Sequence, residues 1–328
     1  MKFGPVPVAD AAGCILAHSV PLPDGRLRKG LCLNADDIAL LRAAGRRNVI
    51  VARLEAGDIG EDDAATRLAA SLTADNGDLR VTRAATGRVN VYATRPGVIA
   101  LDVAALHAFN AVNPMITVAT LAQHTRVEVG TMLATVKIIA YAVPEADVVR
   151  AADIAIGAIG QALPVFRSAT LIETVSPGAK PLKGRDALQT RLSRLGVVLT
   201  DPVSVGHGAA DIAAALARAP GEVLFILTAS ATSDVGDVGP TGLIAAGGGL
   251  VQFGMPVDPG NLLFLGTLKG KPVIGLPGCA RAPALNGADW VMERVICGID
   301  LTPTDFAGMG VGGLLKEIPS RPKPRADI

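Results

Sequence analysis

Val223-Leu-Phe-Ile-Leu227 runs straight into Thr228-Ala-Ser-Ala-Thr-Ser-Asp-Val-Gly-Asp237. Five consecutive apolar residues, bounded by polar ones, read as a fully buried strand. The ten that follow carry hydroxyls and carboxylates and precede a helix-like segment. A second unit of the same kind lies downstream, where Pro272-Val-Ile-Gly-Leu276 gives way to Pro277-Gly278-Cys279. In open α/β sheets, ligands sit beyond the carboxyl ends of the strands, so this pair of loops is the candidate site.

Working outward, residues 160–300 alternate strand-like and helix-like runs. Strands are expected at 169–175, 197–203, 222–228, 250–254, 262–267 and 272–276, and helices at 183–195, 208–219, 238–247 and 280–297. Short connections between alternating elements predict a parallel sheet flanked by helices. Upstream, Asn34 precedes Asp36 and Asp37 as a helix cap, Gly45 ends that helix, and Val49–Val51 is a strand. A second acid-started helix follows Gly60, with Ala64, Ala65, Leu68, Ala69 and Leu72 at helical spacing. Its Glu61–Asp63 run reads as a dipole-favourable helix start, with a metal site as the alternative. Residues 76–143 carry short strand-like runs around a helix near 103–110. The expected division is an α+β unit at 1–75, a β-rich unit at 76–158, an α/β domain at 159–305 and a Pro- and charge-rich tail at 306–328. The expected fold class is therefore α/β, with a three-layer α/β/α domain towards the C-terminus.

Composition narrows the function. Of the 328 residues, half are hydrophobic but only 3% aromatic, so aliphatic side chains build the cores. Lys+Arg is 31 against 30 Asp+Glu. That balance argues against a broad electrostatic footprint for nucleic acid or an acidic membrane. No stretch is long and apolar enough to span a bilayer, and the residues before Cys14 lack the apolar region of an export signal. The cysteines, Cys14, Cys32, Cys279 and Cys297, form no C-x-x-C pair. They read as reduced thiols in a cytoplasmic protein. His107 and His124 are isolated and read as surface or core residues.

Within the loops, Thr228, Ser230, Thr232 and Ser233 suit a polar heterocycle or a phosphate. Asp234, Asp237 and Asp258 suit Mg²⁺ or, equally, the capping of turns. Lys180, Lys183 and Arg185, around the start of the helix after strand 169–175, suit a phosphate or a solvated basic turn. Cys279 is either a thiol activated by a helix start or a small apolar filler.

Three stretches in order, Thr228–Asp237, Asp258-Pro259-Gly260-Asn261-Leu262 and Gly275-Leu276-Pro277-Gly278-Cys279, resemble the molybdopterin-binding superfamily. That group includes molybdopterin adenylyltransferases and molybdopterin molybdotransferases, and the resemblance spans some 140 residues. The first 150 residues more loosely resemble what precedes this domain in bacterial molybdenum-cofactor proteins, some of them fused to nucleotidyltransferases. The resemblance implies molybdopterin, or a nucleotide form of it, as ligand. It implies Mg²⁺ at Asp237 as the catalytic carboxylate, with Gly236, Asp258, Gly260, Asn261, Pro277, Gly278 and Cys279 around the ligand and Lys183 and Arg185 on its phosphate. It also implies a molybdoenzyme or nucleotidyltransferase partner and permits a homo-oligomer. The sequence departs from the family pattern where Ser230 and Ala231 replace paired glycines, where Asn261 replaces a lysine, and where Cys279 replaces an asparagine. Side chains in place of glycine reshape the backbone's approach to a ligand. The lost lysine removes a fixed charge. Both changes bear on catalysis more than on binding. The alternatives are a non-catalytic cofactor carrier and an α/β protein for another phosphorylated ligand.

Overall fold

The computed structural model describes residues 1–74, 76–176 and 184–315. Lys180 and Lys183, and the tail beyond Leu315, lie outside these described residues. The chain divides into two compact units, one of Met1–Arg95 and Ile99–Gln161, the other of Pro96–Val98 and the chain from Ala162 on.

In the first unit, Asn48–Arg53 lies between Lys2–Pro7 and Ile15–Leu16 in an antiparallel sheet. Asn34 caps helix Ala35–Ala43 as expected: its Oδ1 accepts from the amides of Asp36 and Asp37, and Asp37 returns a bond to the Asn34 amide. Helix Glu61–Leu72 buries Ala64, Ala65, Leu68, Ala69 and Leu72 on one face. It packs with Phe109 and Val148 over a four-stranded antiparallel sheet, in the order Ile116–Thr120, Met132–Ile138, Arg88–Ala93, Leu79–Val81. Asp62 Oδ1 accepts the Gly87 amide at 2.6 Å and Glu61 faces Lys137 at 3.6 Å, so the acidic helix start serves local structure.

The second unit is a seven-stranded sheet between helices. Its elements are β1 (Ser168–Val175), α1 (Arg185–Ser193), β2 (Val198–Leu199), β3 (Val203–Gly206), α2 (Ala209–Arg218), β4 (Val223–Leu227), α3 (Val238–Ala245), β5 (Gly249–Phe253), β6 (Phe264–Leu268), β7 (Lys271–Gly275), α4 (Gly287–Ile296) and a short α5 (Pro303–Gly308), with a 3₁₀ turn between β7 and α4. The order is β2-β1-β4-β7-β6-β5, with β3 also paired to β1. Strands β1, β2, β3, β4 and β7 are mutually parallel, and all five residues of β4 are buried. Side chains alternate across the sheet. Ala169 and Leu171 of β1 enter one core with Leu188, Leu192, Val291 and Val295 of α1 and α4, while Ile172 enters the other with Ile212, Leu216 and Leu243 of α2 and α3.

Two expectations are corrected. The sheet is mixed rather than wholly parallel, because β6 runs antiparallel to β7 and β5 antiparallel to β6. A parallel pair needs a long crossover. Only Lys269 and Gly270 join β6 to β7, and their φ angles of +51° and +79° make the tight turn that a two-residue hairpin demands. The helix expected over 280–297 is a short 3₁₀ turn, Gly278–Arg281, followed by α4 from Gly287. Pro283 forces Ala282 into an extended conformation (φ −91°, ψ 151°), and Asn286 then caps α4 by accepting from the Ala288 amide.

Candidate functional site

The parallel strands β1, β3, β4 and β7 end at Val175, Gly206, Leu227 and Gly275 on one edge of the sheet. The plane of the sheet divides this edge into two sides. On the α2/α3 side, Thr174 is fully buried and its Oγ1 accepts from the Ala229 amide at 2.7 Å. The same oxygen lies 2.8 Å from His207 Nδ1, and His207 Nε2 lies 3.0 Å from Ser230 Oγ. Each hydroxyl can both donate and accept, so either ring nitrogen of His207 can carry the proton. In both tautomers the chain Thr174–His207–Ser230 ties the ends of β1, β3 and β4 together.

The Thr228–Asp237 loop is held largely by its own side chains. Thr228 and Thr232 are buried; Thr228 Oγ1 donates to the Ser230 carbonyl and lies 3.1 Å from Thr232 Oγ1. Asp237 Oδ2 accepts the Ser233 and Asp234 amides at 2.6 and 3.2 Å, and Asp234 Oδ1 accepts the Gly236 amide at 2.7 Å. Asp237 is also the residue from which α3 begins. Ser230, Ser233 and Gly236 are exposed at the loop surface.

Asp258, Gly260 and Asn261 take a more structural place. The Asp258 backbone bonds to Gly313 and Leu315, and the Pro259 carbonyl accepts the Gly287 amide at 2.8 Å. A Cβ on Gly260 would sit 2.6 Å from that same amide nitrogen, so the turn is pressed against the start of α4. The Asn261 side chain donates to the Met255 carbonyl. Pro277 is buried and Gly278 exposed. Asp258 is close enough to act on the charge of Cys279. The Cys279 thiol is pushed upward, chiefly by burial, which agrees with the small apolar filler rather than the activated thiol.

The α1/α4 side of the edge carries charge. Gly184 precedes α1, and a Cβ there would lie 2.7 Å from Leu227 and 3.3 Å from the Arg281 stem. Arg281 Nη2 donates to the Thr228 carbonyl at 2.5 Å. Gly184, Arg185, Asp186, Thr190, Arg281 and Pro283 line a cavity of about 490 Å³. Glu173 is buried near the end of β1 and feels both Arg185 and Arg281, two residues that line this cavity. Burial pushes its carboxyl above the ordinary glutamate range, against the pull of the two arginines. Burial likewise pushes the Arg281 guanidinium down.

Arg191 supports this side from α1. It bonds Asp289 at 2.6 Å and donates to the carbonyls of Ala280, Ala282 and Ala284. Of the residues expected at the site, the edge brings together Thr228, Ser230, Thr232, Ser233, Gly236 and Asp237 on one side and Arg185 on the other. Asp258, Gly260 and Asn261 belong to the turn under α4. The sequence reading did not assign roles to Glu173, Thr174, His207, Arg191 or Arg281. The signal that marks the first two is polarity at the end of an otherwise apolar strand.

The expected divalent ion would rest on the Asp237 carboxylate. One carboxylate oxygen is engaged by two amides, which leaves Oδ1. Among the described residues no group of three His, Cys, Asp or Glu side chains gathers to hold a metal. Mg²⁺ commonly takes only one or two carboxylates and completes its shell with phosphate oxygens and water.

Residues 5–53 match the model of a domain of unknown function, DUF8806. No curated protein matches the chain. Among solved structures, a molybdopterin biosynthesis moeA protein from Pyrococcus horikosii aligns over 94% of this chain and 76% of its own, at 14% identity and a TM-score of 0.29. A molybdenum cofactor biosynthesis protein from Pyrococcus furiosus aligns over 94% of this chain and 65% of its own, at 13% identity and a TM-score of 0.24. These values mark a weak structural resemblance. Among the described residues no helix is long and apolar enough to cross a membrane.

Proposed function

We propose that the second unit binds a phosphorylated pterin of the molybdopterin class at the carboxyl edge of its parallel strands. The observation that carries the binding site is the convergence of four neighbouring strand ends on one edge, cross-tied by Thr174, His207, Ser230 and Arg281. The ligand class rests on the three ordered stretches at 228–237, 258–262 and 275–279. Exposed Ser230 and Ser233 offer hydroxyls to the ligand, and Arg185, in the first turn of α1, offers charge to its phosphate. A divalent ion bound at Asp237 Oδ1 would polarise a phosphate oxygen for transfer. Calorimetric titration of purified protein with molybdopterin tests this, and micromolar affinity is the expected result. Absence of binding up to roughly 100 μM, some ten to a hundred times weaker than that range, overturns it.

A carrier role is the second reading, favoured by Asp237, whose carboxylate already serves as a loop cap. An Asp237→Asn variant separates the two. Transfer activity with Mg²⁺, nucleotide or molybdate that is present in the wild type and lost in the variant supports an enzyme. Binding without turnover in the wild type supports a carrier.

A further inference from the structure

On the α1/α4 side of the edge, two buried polar atoms find no partner among the described residues. Glu173 is 5% exposed and its Oε1 accepts no hydrogen bond, and Arg281 Nε donates none. They sit at the ends of adjacent strands. Glu173 pairs with Leu227 across β1 and β4, and Arg281 is pinned to the carbonyl of the next residue, Thr228. No ion pair closes between them, although each acts on the charge of the other.

An anion alone does not suit this pair. It would serve Arg281 and Arg185 but be repelled by the Glu173 carboxylate, and Oε1 would still lack a donor. Unmet buried polar groups are costly, so a fitting ligand must bring a donor to Glu173 and an acceptor to Arg281. A cyclic amide does both, with N–H beside C=O. A carboxylate has two acceptor oxygens and matches two parallel donors best. We propose that Glu173 and Arg281 form a subsite that reads the 2-amino-4-oxopyrimidine edge shared by pterins and guanine, with Glu173 accepting from the ring N–H and the exocyclic amine and Arg281 donating to the oxo group. The cavity of about 490 Å³ that Arg281 lines accommodates a bicyclic heterocycle. Adenine offers one donor beside a bare ring nitrogen, and so satisfies the carboxylate only once. This subsite rests on the ligand site proposed above and assigns the part that faces the heterocycle.

The test is calorimetric titration of the full chain and of Glu173→Gln with molybdopterin, GMP, AMP and inorganic pyrophosphate. The wild type is expected to bind molybdopterin, and to bind GMP at least about tenfold tighter than AMP. Glu173→Gln is expected to weaken molybdopterin and GMP by roughly ten- to a hundredfold while leaving pyrophosphate within about twofold. Arg281→Lys, which keeps charge but loses the planar fork, should weaken the same two ligands. Thermal unfolding of both variants checks that they are folded. If molybdopterin binds the wild type and Glu173→Gln equally, the subsite is wrong and the pterin reading stands. If molybdopterin does not bind but GMP is preferred over AMP in a Glu173-dependent way, the subsite is right and the pterin reading falls. Equal affinity for GMP and AMP overturns the subsite.

Discussion

Glu173 is a carboxyl group placed where the fold gains nothing from it. A buried acceptor without a partner costs about 1–3 kcal/mol. Glu173→Gln or Glu173→Met is therefore expected to raise stability, by about 0.5–2 kcal/mol in urea unfolding at neutral pH. The pH dependence has a definite sign. The folded-state pKa is raised, chiefly by burial. The unfolded chain therefore gives up its proton first, and the folded state loses stability as pH rises from the ordinary glutamate range through the raised value. The stability advantage of Glu173→Gln should widen over that window and vanish below it. Arg191 is the opposite case. The Arg191 and Asp289 side chains are each 6% exposed, and all three guanidinium nitrogens donate. Arg191→Met strands a buried carboxylate and three carbonyls, and should cost about 3–5 kcal/mol in the same measurement. At this scale the sequence was only partly legible. A glutamate after Leu171-Ile172 is visible as a charge in an apolar run. Its surroundings include Arg281, which arrives from far along the chain, and no local pattern carries that information. The hydroxyls of 228–237 were legible as a polar loop, but which of them turn inward, Thr228 and Thr232, is decided by hydrogen bonds within the loop.

Elements were clearer than residues, because caps and periodicity act locally. Asn34, the alanine and leucine face of Glu61–Leu72, and the buried run of β4 all match their reading. The mistakes arose where one or two residues set a direction. Lys269-Gly270 reverses the chain and makes β6 antiparallel, and Pro283 delays α4 to Asn286. Strand crossings also impose limits that composition hides. A Cβ on Gly275 would lie 1.9 Å from the Phe264 ring on the neighbouring strand. Gly275→Ala should therefore lower stability by about 1–3 kcal/mol, and Phe264→Leu in the same chain should recover part of the loss. A double-mutant cycle by chemical denaturation reads this directly; simple additivity would contradict the steric account.

For the whole molecule, the two units have separate cores, and the candidate site belongs to the second. Leu68→Ala, at a fully buried position of the first unit, should cost about 2–5 kcal/mol in unfolding of that unit and leave ligand affinity within about twofold. A large change in affinity would show that the first unit participates in binding. The role of the first unit was the least legible part of the sequence, since its strands and helices carry packing residues and little chemical vocabulary. The hub at Arg191 has a further consequence for how the second unit meets its ligand. Three carbonyls of residues 280–284 are fastened to α1 by Arg191, so the segment bearing Arg281 has little freedom left to lose on association. Preorganisation of that kind lowers the entropic cost of binding. Ligands that differ only in the edge they present should then arrive at similar rates and be told apart by how long they stay.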